Sequence, residues 1–239
     1  MLMRNKEENS ITFNGILTPV DAANAIRSAR ITARDLLDTA ELLFTLKRFQ
    51  HSAAMSILAI EESSKLALLL MIFLGTSDDW TKLWRSYRSH RAKTAWLNPA
   101  IESRIRATFP QISRDDAKKL AESGPGPEQL ESSKQRAIYS DCLEVSGKFV
   151  SHCPSLAEWR SIAWERLCEA QAMVTGMRDY PPEELRIWQE HITRAATEGR
   201  SLLSALPTIH QELLEKRFVQ EGWWKTLLED VEFEANRKE

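Results

Sequence analysis

Apolar residues recur three and four positions apart along almost the whole of this 239-residue chain, and no stretch of useful length alternates apolar with polar. Such a chain buries its apolar surface only by packing amphipathic helices on one another. The expected fold is therefore an all-α bundle of about six long helices. The first helix start is explicit: Thr18-Pro19-Val20-Asp21 offers a hydroxyl cap, a proline in first position and a carboxylate near the positive end. Ile26, Ala29, Ala33, Leu36, Leu37, Ala40, Leu43 and Phe44 carry the helix to about Phe49. After a break near 48–52, a second long helix runs to Gly75, a C-terminal stop. Ser77 or Asp78 caps a third, through about Trp96, which Asn98-Pro99 ends. Regular helices return at about 155–177, 182–204 and 208–232, separated by Tyr180-Pro181-Pro182 and by Pro207.

The middle is less regular. Residues 100–110 and 114–122 read as short helices, Gly124-Pro125-Gly126-Pro127 as a loop, and 137–154 as irregular chain or a small hairpin. The stretch 110–135 has the character of an insertion. No repeat and no linker divides the chain, so 18–239 reads as one domain behind a flexible N-terminal segment, 1–17.

Composition narrows the function classes. A net charge of -2 gives no global signature of nucleic-acid binding, so any such signal must be local. The three cysteines, Cys142, Cys153 and Cys168, are odd in number and lack CxxC spacing, which indicates neither a disulfide framework nor a zinc site. The N-terminus, MLMRNKEENSITFNG, has no apolar core of signal-peptide type. The most apolar run, LALLLMIFL at 66–74, is about half of what a bilayer crossing requires. Glu61, Glu62 and Lys65 bound it upstream, each costly at bilayer depth. A buried core helix in a cytoplasmic protein is the expectation.

Those same charges are the first sign of chemistry. On an ideal helix, Lys65 projects between Glu61 and Glu62, on the side that also carries Leu58, Leu68, Leu69 and Ile72. A charged triplet within an apolar face must be paired. It is either a self-satisfied ion-pair network that fixes helix packing, or a site facing a partner helix.

The third helix carries the apolar stripe Trp80, Leu83, Trp84 and Tyr87, with His90 at its edge, Lys93 three residues on, and Arg85 and Arg88 on the opposite flank. Between Lys82 and Arg106 lie seven basic residues, Arg91 and Arg104 among them, against the single acid Glu102. Aromatic rings interleaved with local positive charge are what a phosphate backbone attracts, although a solvated basic face would look the same. Arg85 and His90 have Arg-x4-His spacing, as do Arg186 and His191. The ends of such a motif stand about 140° apart on one ideal helix, so they would converge only in a composite site across a dimer interface. Glu190 and the ordinary surface charge around His191 make its spacing look accidental. His51, His152 and His210 have no ligand spacing, and no Gly-rich phosphate loop, nucleophile elbow or HExxH occurs.

Three motifs in order, A-I-E-E-x-x-K, R-S-H-x-x-K and K-Q-R-A-I-Y-S-D, resemble the AbiV-type abortive-infection proteins of the HEPN superfamily of helical bundles. They fall on Glu61, Glu62 and Lys65; on Arg88, His90 and Lys93; and on Gln135, Arg136, Tyr139 and Asp141. The resemblance spans roughly 20–155. It departs at Ser64, where the family pattern has glycine.

The resemblance implies a HEPN-like bundle with an irregular insertion between about 110 and 154, and a role in bacterial antiphage defence. Many HEPN proteins are metal-independent ribonucleases that act as dimers. On that precedent His90 is the acid or base and Arg85 stabilises phosphate charge, with Arg88 and Lys93 as support. Glu61, Glu62 and Lys65 form the supporting polar network, and Lys82, Arg91, Arg104 and Arg106 contact RNA. No cofactor, metal or membrane is expected. The implied partners are a second copy, RNA or the translation machinery, and a phage-encoded activator or a cognate inhibitor. The family also accommodates a non-catalytic protein that blocks the translation machinery or a phage protein.

Overall fold

The computed structural model describes residues 13, 15–75, 77–89, 93, 98, 101–102, 105–106, 109, 111–138, 142–145, 148–151, 154–200 and 202–219. The described elements are helices α1 (Pro19–Thr45), α2 (Phe49–Leu74), α3 (Ser77–Arg88), α4 (Arg114–Glu122) and α5 (Pro127–Ile138), an antiparallel hairpin of β1 (Cys142–Val145) and β2 (Lys148–Ser151), then α6 (Leu156–Thr175), α7 (Pro182–Thr197) and α8 (Leu202–Glu215). It is the all-α bundle that the periodicity requires. Cys142 pairs with Ser151 and Val145 with Lys148 in the hairpin, so the ambiguous stretch contains a small one.

The centre is α2, which packs against α1, α3, α5, α6 and α7. Alanines make the α1–α2 pairing close: Ala22, Ala29, Ala33 and Ala40 on α1 and Ala53, Ala54 and Ala59 on α2 are all buried. Larger side chains fill the layers around them. Leu37, Ile57, Ile60, Leu130 and Leu167 form one core, and Ile26, Leu69, Ile72, Trp84 and Leu185 a second. Each fully buried Leu or Ile contributes roughly 1.5–3 kcal/mol. No helix among the described residues is long and apolar enough to cross a membrane.

Local signals set most element starts. Thr18 and Asp21 form a reciprocal capping box, Asp21 N–H donating to Thr18 Oγ1 at 3.1 Å and Thr18 N–H to Asp21 Oδ2 at 3.2 Å. Ser155 and Glu158 repeat it at α6. The helix ends differ from expectation. Gly75 follows α2 in an extended conformation, with φ -73 and ψ 165. Its small size matters instead, because a Cβ there would lie 2.6 Å from the Met71 carbonyl oxygen. The break after α7 comes at Gly199 (φ 67), where Arg200 N–H bonds Ala195 O at 2.8 Å and Gly199 N–H bonds Ala196 O at 3.1 Å. Pro207 therefore lies inside α8, costing it one ladder bond, and does not start a helix. α8 itself closes at Glu215, and the part of the expected helix from 220 to 232 lies outside the described residues.

Two further parts of the chain join the packing. Leu17 is buried at 6%, Trp84 Nε1 donates to Gly15 O at 3.1 Å, and the Phe13 ring meets Trp84 edge-on at 5.7 Å, ahead of α1. The insertion-like stretch also supplies core. Leu130, Lys134 and Ala137 of α5 are buried, against α2 and, through Ala137, Trp159 of α6.

Candidate functional site

The charged triplet of α2 is paired, but not as a self-contained set. Lys65 Nζ lies 2.6 Å from Glu62 Oε2, with both side chains about one-fifth exposed. Glu61, one position back, is buried at 2% and bonds Lys134 of α5, Nζ to Oε1 at 2.6 Å. Lys134 also bonds Glu131 at 2.7 Å. Glu61 and Lys65 divide between two neighbouring helices. Glu61 is directed to α5, whereas Lys65 leans toward α3, its Nζ 5.4 Å from the Tyr87 ring centroid. Ser64, in the place of the family's glycine, is buried with its hydroxyl donating to Ile60 O at 2.8 Å, so the helix accommodates it.

Lys93 joins this cluster from the other side. It is buried at 6%, where it was expected to face phosphate. α3 ends at Arg88, and Lys93 N–H donates to Ser89 O at 3.1 Å. Angles counted along one continuous helix from Arg85 therefore do not apply beyond Ser89. Burial first, then the positive charge of Lys65, lowers the Lys93 pKa, and Glu62 and Glu61 partly offset both. Lys134 goes the other way. Burial opposes its charge, but the hydrogen bonds to Glu131 and Glu61 outweigh burial and raise its pKa. The result is a nearly neutral network of lysines and glutamates, drawn from three distant parts of the chain and largely sealed from water.

Above it, α3 presents the predicted basic face. Trp80, Leu83, Trp84 and Tyr87 pack inward, and Lys82 and Arg85 are exposed. Arg88 is exposed but committed: its Nη2 donates to Phe13 O at 2.7 Å and its guanidinium lies 5.7 Å from the Trp84 ring centroid. Arg106 is half-buried. His90, Arg91 and Arg104 lie outside the described residues, as do Tyr139 and Asp141. Gln135 is exposed and bonds Glu131 at 2.7 Å, and Arg136 is half-buried with its carbonyl accepting from Gln50.

The second Arg-x4-His pair does not converge. Arg186 is exposed, whereas His191 is buried with Nε2 2.7 Å from Glu212 Oε2, joining α7 to α8. Sequence reasoning missed Lys134 as a member of the cluster. Its signal was present, since it opens the K-Q-R-A-I-Y-S-D motif, but nothing in one dimension says that it reaches Glu61, 73 residues away. Among the described residues, no group of His, Cys, Asp and Glu could hold a metal ion.

A family model described as HEPN_AbiV, AbiV, matches residues 21–170. The match takes in nearly all of α1 to α6 and every residue of the polar cluster. Neither a curated protein nor a solved structure matches the chain.

Proposed function

The chain belongs to the AbiV family of HEPN abortive-infection proteins, and from that membership we propose that it defends the cell against phage by cleaving RNA without a metal, in the cytoplasm. The observation that carries this reading is the convergence of three motif segments on one buried network. Lys93 is buried within electrostatic range of Glu61, Glu62 and Lys65, and in this reading its burial anchors the segment that begins at the exposed Lys82 and Arg85 and contains His90.

In this reading Lys82 and Arg85 hold phosphate, with Arg104, Arg106 and Arg91 extending the contact. His90 accepts the proton of the ribose 2′-hydroxyl as that oxygen attacks the adjacent phosphorus, or donates one to the departing 5′-oxygen. Arg85 stabilises the charge that grows on the phosphoryl oxygens. The buried cluster touches no substrate and positions the segment.

Two measurements on the purified protein test this. RNA cleavage should be lost in His90→Ala while the melting temperature is kept. RNA binding should fall steeply with salt, by a slope of about -0.7 per phosphate contact for single strands, and Arg85→Glu should weaken it for all sequences alike. Cleavage that survives His90→Ala overturns the assignment. A second reading, blockade of the translation machinery or a phage protein without cleavage, draws support from Arg88, whose guanidinium is engaged within the fold. It expects phage protection without RNA cleavage and little RNA affinity even at low salt.

A further inference from the structure

The chain that leads into α1 lies against the basic face of α3. Leu17 is buried in the core that also holds Trp84, and it anchors the residues ahead of it. Trp84 Nε1 donates to the Gly15 carbonyl at 3.1 Å, and the Phe13 ring stands edge-on to the Trp84 indole at 5.7 Å. Arg88 Nη2 donates to the Phe13 carbonyl at 2.7 Å. Arg88 is exposed and follows the exposed Arg85 by three residues, which sets two cations side by side on the helix. One of that pair is therefore committed to a neutral backbone oxygen.

The contact is built to yield. Phe13 and Ile16 are each 54% exposed, so the segment gives up little apolar burial when it leaves α3. Gly15 lets the Phe13 ring fold back over the chain, since a Cβ there would lie 2.9 Å from Cζ of that ring. The acceptor is also a modest one. A phosphate group offers Arg88 charged oxygens and two parallel N–H bonds, and so competes well against a single carbonyl.

We propose that residues 13 and 15–17 form an autoinhibitory strap, in which the Phe13 carbonyl occupies Arg88 until a phosphate-bearing strand displaces it and gains Arg88 as a further contact beside Arg85. That the strand is RNA rests on the proposed function. The strap itself requires only that this face of α3 takes phosphate.

Isothermal titration of the full chain with inorganic tripolyphosphate, beside binding of a single-stranded oligoribonucleotide, tests this. Phe13→Ala removes the ring that sits on Trp84, and Gly15→Ala pushes that ring aside, while Arg88 and Trp84 stay in place. Circular dichroism melts of both variants should match the wild type, because Phe13 is exposed. Each variant should bind tripolyphosphate about tenfold tighter, as one more hydrogen bond between charged groups provides. The salt slope of RNA binding should steepen by about 0.7, one further phosphate contact. Both gains should vanish when Arg88→Met is added to Phe13→Ala. Equal tripolyphosphate affinity in the wild type and both variants overturns the strap, and so does a gain that survives Arg88→Met. Tighter tripolyphosphate binding without any RNA binding would keep the strap and sink the RNA reading. Unchanged tripolyphosphate affinity with RNA cleaved alike by every variant would do the reverse.

Discussion

Two places in this bundle bring an ionic contact inside, and they are built to opposite ends. At the centre, Glu61 and Lys134 are both nearly sealed from water, and they join helices far apart in sequence. At the α7–α8 seam, His191 is buried but its partner Glu212 is 30% exposed and also bonds Lys216 one turn on. The first contact holds two charges largely away from water, so losing either partner takes from the other its bond across the helix interface. The second has water as a standby. Burial of both partners, rather than distance, separates them, since the contacts measure 2.6 and 2.7 Å. The lesson bears on function too. A histidine in an Arg-x4-His spacing can serve only to join two helices, and a lysine 73 residues from its partner can hold the centre of the molecule.

The contrast is broken most directly at Lys134. Lys134→Met should cost about 3–5 kcal/mol in urea denaturation by removing the ammonium that Glu61 bonds in the interior. Removing both charges together, Glu61→Leu with Lys134→Met, should recover most of that loss. Because the Lys134 pKa is raised, its contribution is whole below the unfolded lysine value of about 10.4 and fades as pH climbs through the native value. Equal stability of wild type and Lys134→Met at neutral pH would erase the distinction between the two sites.

Lys65→Met should cost less, about 1–2 kcal/mol, because Lys65 and Glu62 keep partial contact with water and Glu61 has its own partner. A loss as large as that at Lys134 would show that the triplet acts as one unit.

At the seam, Gly199→Ala should cost about 1 kcal/mol through its positive φ alone, since a Cβ there meets nothing within 4 Å. Lys47 (φ 59) and Arg217 (φ 60) already carry side chains in that conformation, which bounds the penalty. A thermal melt of the alanine variant measures it.

The smallest effect belongs to Glu212→Gln, a fraction of a kcal/mol after solvent screening. Hydrogen bonds from Lys216 first and then His191 hold the Glu212 carboxyl below its usual range. Its contribution is therefore present above the unfolded value of about 4.3 and is lost as pH falls through the native one. The melting difference between wild type and variant should be visible at pH 7 and shrink as pH falls below the unfolded value. A difference that persists in acid would mean that packing, not charge, joins the seam.

Much of this architecture was legible in one dimension because its causes are local. The Thr18 cap needs only Asp21, the α2 core run needs only its own period, and the stripe of α3 from Trp80 to Tyr87 is written at helical spacing. The charged triplet announced that it must be paired, since three charges within an apolar face cannot stay solvated. What a sequence cannot supply is which side chain arrives from elsewhere. Lys65 and Lys134 were equally available to Glu61 by chemistry, and only the docking of α5 on α2 chose between them. The same limit governs Lys93. The described helix α3 stops at Arg88, and Lys93 beyond it is buried where helical counting from Arg85 would turn it outward. Periodicity and caps fix where helices form because they act within a few residues along the chain. Partner choice and burial depend on the docking of separate helices, which exists only once the chain has folded.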